Sequence, residues 1–278
     1  MRRTVLTAVL SLTLLLTACG SAPGTEVQPA PVETTTRLET SSVEIVTSVE
    51  STTEAETTAV PETAPPTTEA PAGTLAGVKI GLDPGHQEHG NPEQEAIAPD
   101  NPQTKDKVTG GAVGTVTGIP EYVTVLDIAE CLKEKLEAEG AVVYMTRESH
   151  DVDISNQERT KMMNDYGVDL MLRIHCDAAG SADARGVGMF VSMSNAIAQQ
   201  SYDYALTMQP IVCEAIGAQN RGITQNDNYT GQNWAEVPCI MIECGFLSNP
   251  EEDRLLNDPD YQDKLAEGIC QGIEACFS

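Results

Sequence analysis

Three apolar runs of strand character, each delivering a histidine or glutamate at or just past its end, constrain this chain more than any other feature. They are Val78–Leu82 leading through the Asp83-Pro84-Gly85 turn to His86, Leu170–Ile174 leading to His175, and Pro238–Ile242 leading to Glu243. Helical periods lie between them. Apolar positions 122, 125, 126, 129, 132 and 136 predict a helix over 121–139, ended by Gly140. Ser155 and Glu158 have the spacing of a capping box and open a second helix. Further strands are expected at Ala141–Met145 and Gly186–Ser192, and further helices over about 196–216 and 261–275. Strands alternating with helices predict an α/β fold: three layers, with a mostly parallel twisted sheet flanked by helices on both faces. Ligands gather at the carboxyl ends of the strands in such sheets, so the three runs predict one assembled site.

The N-terminal part reads differently. Arg2 and Arg3 precede an apolar stretch from Val5 to Leu16, the pattern of an export signal over residues 1–18. That stretch is shorter than the roughly 20 apolar residues a spanning helix needs. Leu16-Thr17-Ala18-Cys19 resembles the lipobox of bacterial lipoproteins, which implies a lipid on Cys19, a membrane anchor and an extracytoplasmic location. An ordinary signal peptide cut near Ala18 is the alternative. Residues 19–75 are rich in Thr, Glu, Pro, Ala, Val and Ser, with no aromatic residue and no amphipathic period. Such a segment cannot bury enough apolar surface to offset the entropy of ordering and is expected to be a disordered tether. Its Thr/Pro content also fits a glycosylated stalk. Residues 76–278 then form one catalytic domain.

The net charge of −26 over 278 residues excludes the basic footprint of a nucleic-acid binder. Apart from Cys19, the cysteines at 131, 176, 213, 239, 244, 270 and 276 are odd in number and show no CxxC spacing. That argues against both a disulfide framework and a structural zinc of the cysteine type.

Catalytic zinc takes three protein ligands of histidine and carboxylate type and keeps a position open. His86 and His175 supply imidazoles, and Glu121, at the start of its helix, supplies a carboxylate. One Zn²⁺ per domain is expected, lowering the pKa of a bound water to about 7. Glu243, at the end of an apolar strand, is the candidate acid/base, since burial raises a carboxyl group into the range useful for proton transfer. The alternative is a glutamate that accepts backbone hydrogen bonds in the Cys244-Gly245 turn.

Taken in order, Asp83-Pro84-Gly85-His86, Glu121-Tyr122, Met145-Thr146-Arg147, Arg173-Ile174-His175 and Glu243-Cys244-Gly245-Phe246-Leu247-Ser248-Asn249 resemble the zinc-dependent, type 3 N-acetylmuramoyl-L-alanine amidases. The resemblance spans about Val78 to Ile273. It implies zinc on His86, Glu121 and His175, Glu243 as catalytic acid/base, and peptidoglycan as substrate, cut at the amide between the lactyl group and L-alanine. A non-catalytic wall-binding lipoprotein and another zinc hydrolase of the wall, a peptidase or deacetylase, stay open. So does a requirement for an unknown activator protein.

The chain departs from the family pattern in three places: Gln87-Glu88 follows His86, the loop 87–120 is long, and Cys176 and Cys244 flank site residues. Alternation along a strand turns those thiols to the opposite face. His89 is expected in solvent and His150 in a turn. Asp83 is read as a turn former or a partner orienting His86, and Arg147 and Arg159 as partners of carboxylates. Trp234 either lines the cleft or packs its loop.

Overall fold

A computed structural model describes residues 73–278. The expected export signal, Cys19 and the tether as far as residue 72 lie outside the described residues. The strands are β1 (Lys79–Pro84), β2 (Asn91–Ala96), β3 (Thr104–Val108), β4 (Val142–Met145), β5 (Leu170–Asp177), β6 (Val187–Val191), β7 (Asn220–Gln225) and β8 (Cys239–Phe246). The helices are α1 (Glu121–Ala138), α2 (Asn156–Tyr166), α3 (Ala198–Ile216), α4 (Thr230–Asn233), α5 (Pro250–Leu256) and α6 (Pro259–Phe277). Six strands make one sheet in the order β4-β1-β5-β8-β6-β7. β4, β1, β5 and β8 run parallel, whereas β6 is antiparallel to β8 and carries β7 parallel to itself. The expected α/β architecture is therefore present, with two reversed strands at one side.

Alternation along the strands decides which core each residue enters. Ile80 and Leu82, then Leu170, Leu172, Ile174 and Cys176, then Ile240, Ile242 and Cys244 enter the large core with residues of α1, α3 and α6. Residues between them face the other way, and there they stack in rungs along the sheet. Gly81, Met171 and Cys239 form the first rung, in register and packed against Met163 of α2. Asp83, Arg173 and Met241 form the second. His175 and Glu243 form the third, at the carboxyl edge. Apolar packing, a charged layer and a polar site thus follow one another along a single face.

The charged layer is closed on itself. Asp83 is wholly buried, accepts from Thr146 Oγ1 at 2.7 Å, and pairs with Arg173 Nε at 2.7 Å and Arg159 Nη1 at 2.9 Å. Burial alone would raise its carboxyl, but the two guanidinium groups outweigh that and hold it far below the ordinary range. Breaking such a buried pair costs about 3–5 kcal/mol, because it strands the partner charge. Asp83 makes no hydrogen bond to His86; its role is to neutralise these arginines.

The stretch 87–120, which shows no period and reads as loop, contains the β2–β3 hairpin. Its residues are almost all polar, so alternation gives no signal, and the pairing depends on docking. Gln157 N donates to Glu95 Oε2 at 3.1 Å, Gln157 Nε2 and Trp234 Nε1 donate to Ala96 O, and Asn156 Nδ2 donates to Lys107 O. Trp234 therefore packs the hairpin. The sequence reading also misses β7, a polar edge strand, and α5, whose seven residues are too few for a period. Leu75, placed by composition at the end of the tether, is buried in the large core.

Candidate metal centre and its cleft

His86 follows β1 with φ of 58°, a left-handed conformation unusual for a residue with a side chain. Two arginines fix the turn. Arg147 Nε donates to Pro84 O and its Nη2 to Gly85 O, while Arg159 donates to Pro84 O and His86 O, all at 2.9–3.0 Å. Arg159 also pairs with Asp83, as expected; Arg147 corrects its expectation, since its hydrogen bonds go to the carbonyls of Pro84, Gly85, Tyr122 and Ser149. This clamp compensates a backbone state that costs about 1–3 kcal/mol. His86 Nδ1 donates to Thr109 O at 2.8 Å, an assignment that leaves the lone pair on Nε2.

Glu121 is the first residue of α1, where backbone N–H groups favour a carboxylate. Its Oε2 accepts from Ala112 N at 2.8 Å and its Oε1 from Cys176 N at 3.0 Å. The same Oε1 lies 3.3 Å from His86 Nε2 and 3.1 Å from His175 Nδ1. One potential ligand atom from each of His86, Glu121 and His175 therefore lies within 4.8 Å of the others, room for a shared ion. Burial would raise the Glu121 carboxyl, but its bonds to His175 and His86 outweigh that and hold it well below the usual carboxylate range. Burial lowers the His175 imidazole, against the pull of Glu121. Both shifts, of Glu121 and of His175, run toward the ionised carboxylate and neutral imidazole that a metal requires. The donor set therefore suits zinc. The His86 bond to Thr109 O also supplies the outer support that metal-binding imidazoles generally have.

Gly85 is packed so closely beneath the His175 ring that a Cβ there would overlap Cε1 and Nε2. Gly85→Ala is therefore expected to displace the imidazole and lower zinc affinity about 10–100-fold, the size of comparable losses of ligand support. Zinc titration of the purified variant, with circular dichroism as a check on folding, measures this.

Glu243 pairs in register with His175, and both line a cleft of about 210 Å³. Its Oε2 has no hydrogen-bond partner, and the turn that follows is held by another carboxylate, with Phe246 N donating to Glu252 Oε2 at 2.8 Å. Burial pushes the Glu243 carboxyl well above its ordinary value, helped by the charges of Glu121 and Asp177. Cys176 and Cys244 are buried in the large core on the opposite face, as alternation requires, and the seven described cysteines are all free thiols. His89 is exposed, and Trp234 is absent from the cleft lining. Arg173, Asn156, Lys105 and Tyr229 do line it. Sequence reasoning assigned none of these four to the site. Only Arg173 carried a signal, being a charge inside an apolar strand that needed a partner.

Fold and geometry together define a class: an α/β domain with a His–Glu–His cluster and a nearby unpartnered glutamate at the carboxyl edge of a mostly parallel sheet. Within that class, residues 80–275 match the family model described as N-acetylmuramoyl-L-alanine amidase, and the chain belongs to that family. It is 31% identical to the germination-specific N-acetylmuramoyl-L-alanine amidase of Bacillus subtilis, over 73% of this chain and 81% of that protein. It is 30% identical to the probable cell wall amidase LytH of Staphylococcus epidermidis, over 73% of this chain but only 60% of the relative. Among solved structures, the amidase Ami1 of Mycobacterium smegmatis aligns with a TM-score of 0.67 at 25% identity, covering 73% of this chain and 98% of that one.

Proposed function

We propose that the chain is a zinc-dependent N-acetylmuramoyl-L-alanine amidase that hydrolyses the lactyl–L-alanine amide of peptidoglycan in wall remodelling or turnover. His86, Glu121 and His175 hold the zinc, and Glu243 is the acid/base. The convergence of three potential ligand atoms within 4.8 Å, with His86 and His175 lining one cleft together with Glu243, carries this reading. Membership of a generally zinc-dependent family supports the choice of metal.

Zinc bound there would polarise the scissile carbonyl and acidify a water. The remaining work falls to this chain's own side chains. Glu243, partnerless at Oε2 and raised by burial, takes a proton from the attacking water and delivers it to the leaving nitrogen. Thr109 O fixes the His86 tautomer, and the Arg147–Arg159 clamp fixes the turn that carries it. Glu121 sets the two imidazoles at a common distance through one oxygen.

Residues 76–278, with Leu75 packed into their core, act as the catalytic domain, carried by the tether that begins at residue 19 behind the signal peptide 1–18. A lipid on Cys19 holds the enzyme outside the cytoplasmic membrane beside its substrate. The order Leu16-Thr17-Ala18-Cys19 and the acidic Thr/Pro-rich composition support this arrangement.

Digesting purified sacculi with the chain, with chelator and then with zinc restored, tests the function. The expected products are new L-alanine amino termini with glycan acetyl groups intact, lost on chelation and regained with zinc. Release of acetate, or new termini elsewhere in the peptide, would assign a deacetylase or peptidase. Binding to sacculi without any cleavage would favour the wall-binding reading, or an enzyme waiting for an activator protein if cleavage appears once cell extract is added.

A further inference from the structure

The cleft of this strongly acidic chain contains one uncommitted cation. Lys107, Lys133, Lys135 and Lys161 each lie within ion-pair distance of a carboxylate. Lys105, which lines the cleft with His86, His175 and Glu243, has no such partner among the described residues. Its ammonium donates to Asn228 O at 2.8 Å and sits 5.8 Å from the centre of the Tyr229 ring. An ammonium has three donors, so capacity is left over.

The neighbouring charges do not use it. Glu95, its cross-strand partner, accepts from the Gln157 backbone, and Asp106 accepts from Gln94 at 2.6 Å. Arg173, also in the cleft lining, is committed through Nε to Asp83 and through Nη2 to Asn156 at 2.7 Å. The hairpin that presents Lys105 is itself fastened to α2 and Trp234 by the bonds described above. A cation is thus held on a fixed wall of a cleft whose other charged lining residues are Asp106, Glu243 and the committed Arg173.

We infer that Lys105 is a specificity residue that pairs with a free carboxylate of the substrate's peptide stem, next to the scissile amide. This rests on the amidase reading and sharpens it: the preferred substrate is an acidic stem, and amidation of that carboxylate weakens binding.

The test uses two peptides that lack the scissile bond and differ by one charge. They are L-alanyl-γ-D-glutamyl-L-lysine and its α-amide, L-alanyl-γ-D-isoglutaminyl-L-lysine, titrated calorimetrically into the zinc-loaded full chain. The wild-type chain should bind the acid about tenfold more tightly, the scale of one charge-assisted hydrogen bond in a solvent-open cleft. Lys105→Met should bring the two peptides to parity, and Lys105→Arg should keep the preference. Equal binding by the wild type, or a preference that survives in Lys105→Met, overturns the inference. Muropeptide turnover by the same wild-type preparation reports separately on the amidase reading. Turnover absent even after cell extract is added, with the preference intact, would sink that reading and leave the charge pairing standing.

Discussion

Glu243→Gln should retain one zinc per chain while losing hydrolysis of sacculi by roughly 10²–10⁴-fold, the usual contribution of a positioned acid/base. Glutamine keeps the shape of the side chain and removes its capacity to take a proton. The wild-type carboxylate has no partner at Oε2, so the substitution breaks no hydrogen bond there. The following turn, held by Glu252, should be unaffected. Zinc content and turnover measured on the same preparation separate the possibilities. Near-normal turnover would remove Glu243 from the chemistry, and loss of zinc would make it part of the metal site instead.

His175→Ala should behave differently, losing zinc and hydrolysis together. The imidazole supplies one of three potential ligand atoms and lies 3.1 Å from the Glu121 oxygen that also faces His86. Its removal deletes one of the three potential ligands, so affinity should fall by more than the roughly 10–100-fold that follows loss of an outer-shell partner. Equilibrium zinc binding by competition with a chromophoric chelator measures the loss. Wild-type zinc affinity in His175→Ala would show that the ion, if bound, sits elsewhere.

Much of this site was legible in the sequence because strands announce themselves by apolar runs, and the ends of parallel strands share one edge. His175 and Glu243 are in register on β5 and β8, and Glu121 opens α1, all as the patterns indicate. The Ser155–Glu158 capping box forms as read. What stayed hidden was structure without an apolar period of its own. The β2–β3 hairpin is polar and depends on contacts with α2 and Trp234, residues distant in sequence. Arg147 could not be assigned to carbonyls rather than carboxylates from its neighbours in the chain, because two of its four acceptors, Pro84 O and Gly85 O, belong to a turn some sixty residues away. The reversed β6 and β7 were equally invisible, since strand direction depends on connections that a strand's own composition does not encode.

An anomalous difference map at the zinc absorption edge, from crystals of the zinc-loaded chain, bears most directly on the metal assignment. A single strong peak bounded by His86, Glu121 and His175, with Glu243 nearby and not ligating, is the expected result. A peak at any other cluster, or none between those three side chains at full zinc loading, would contradict it.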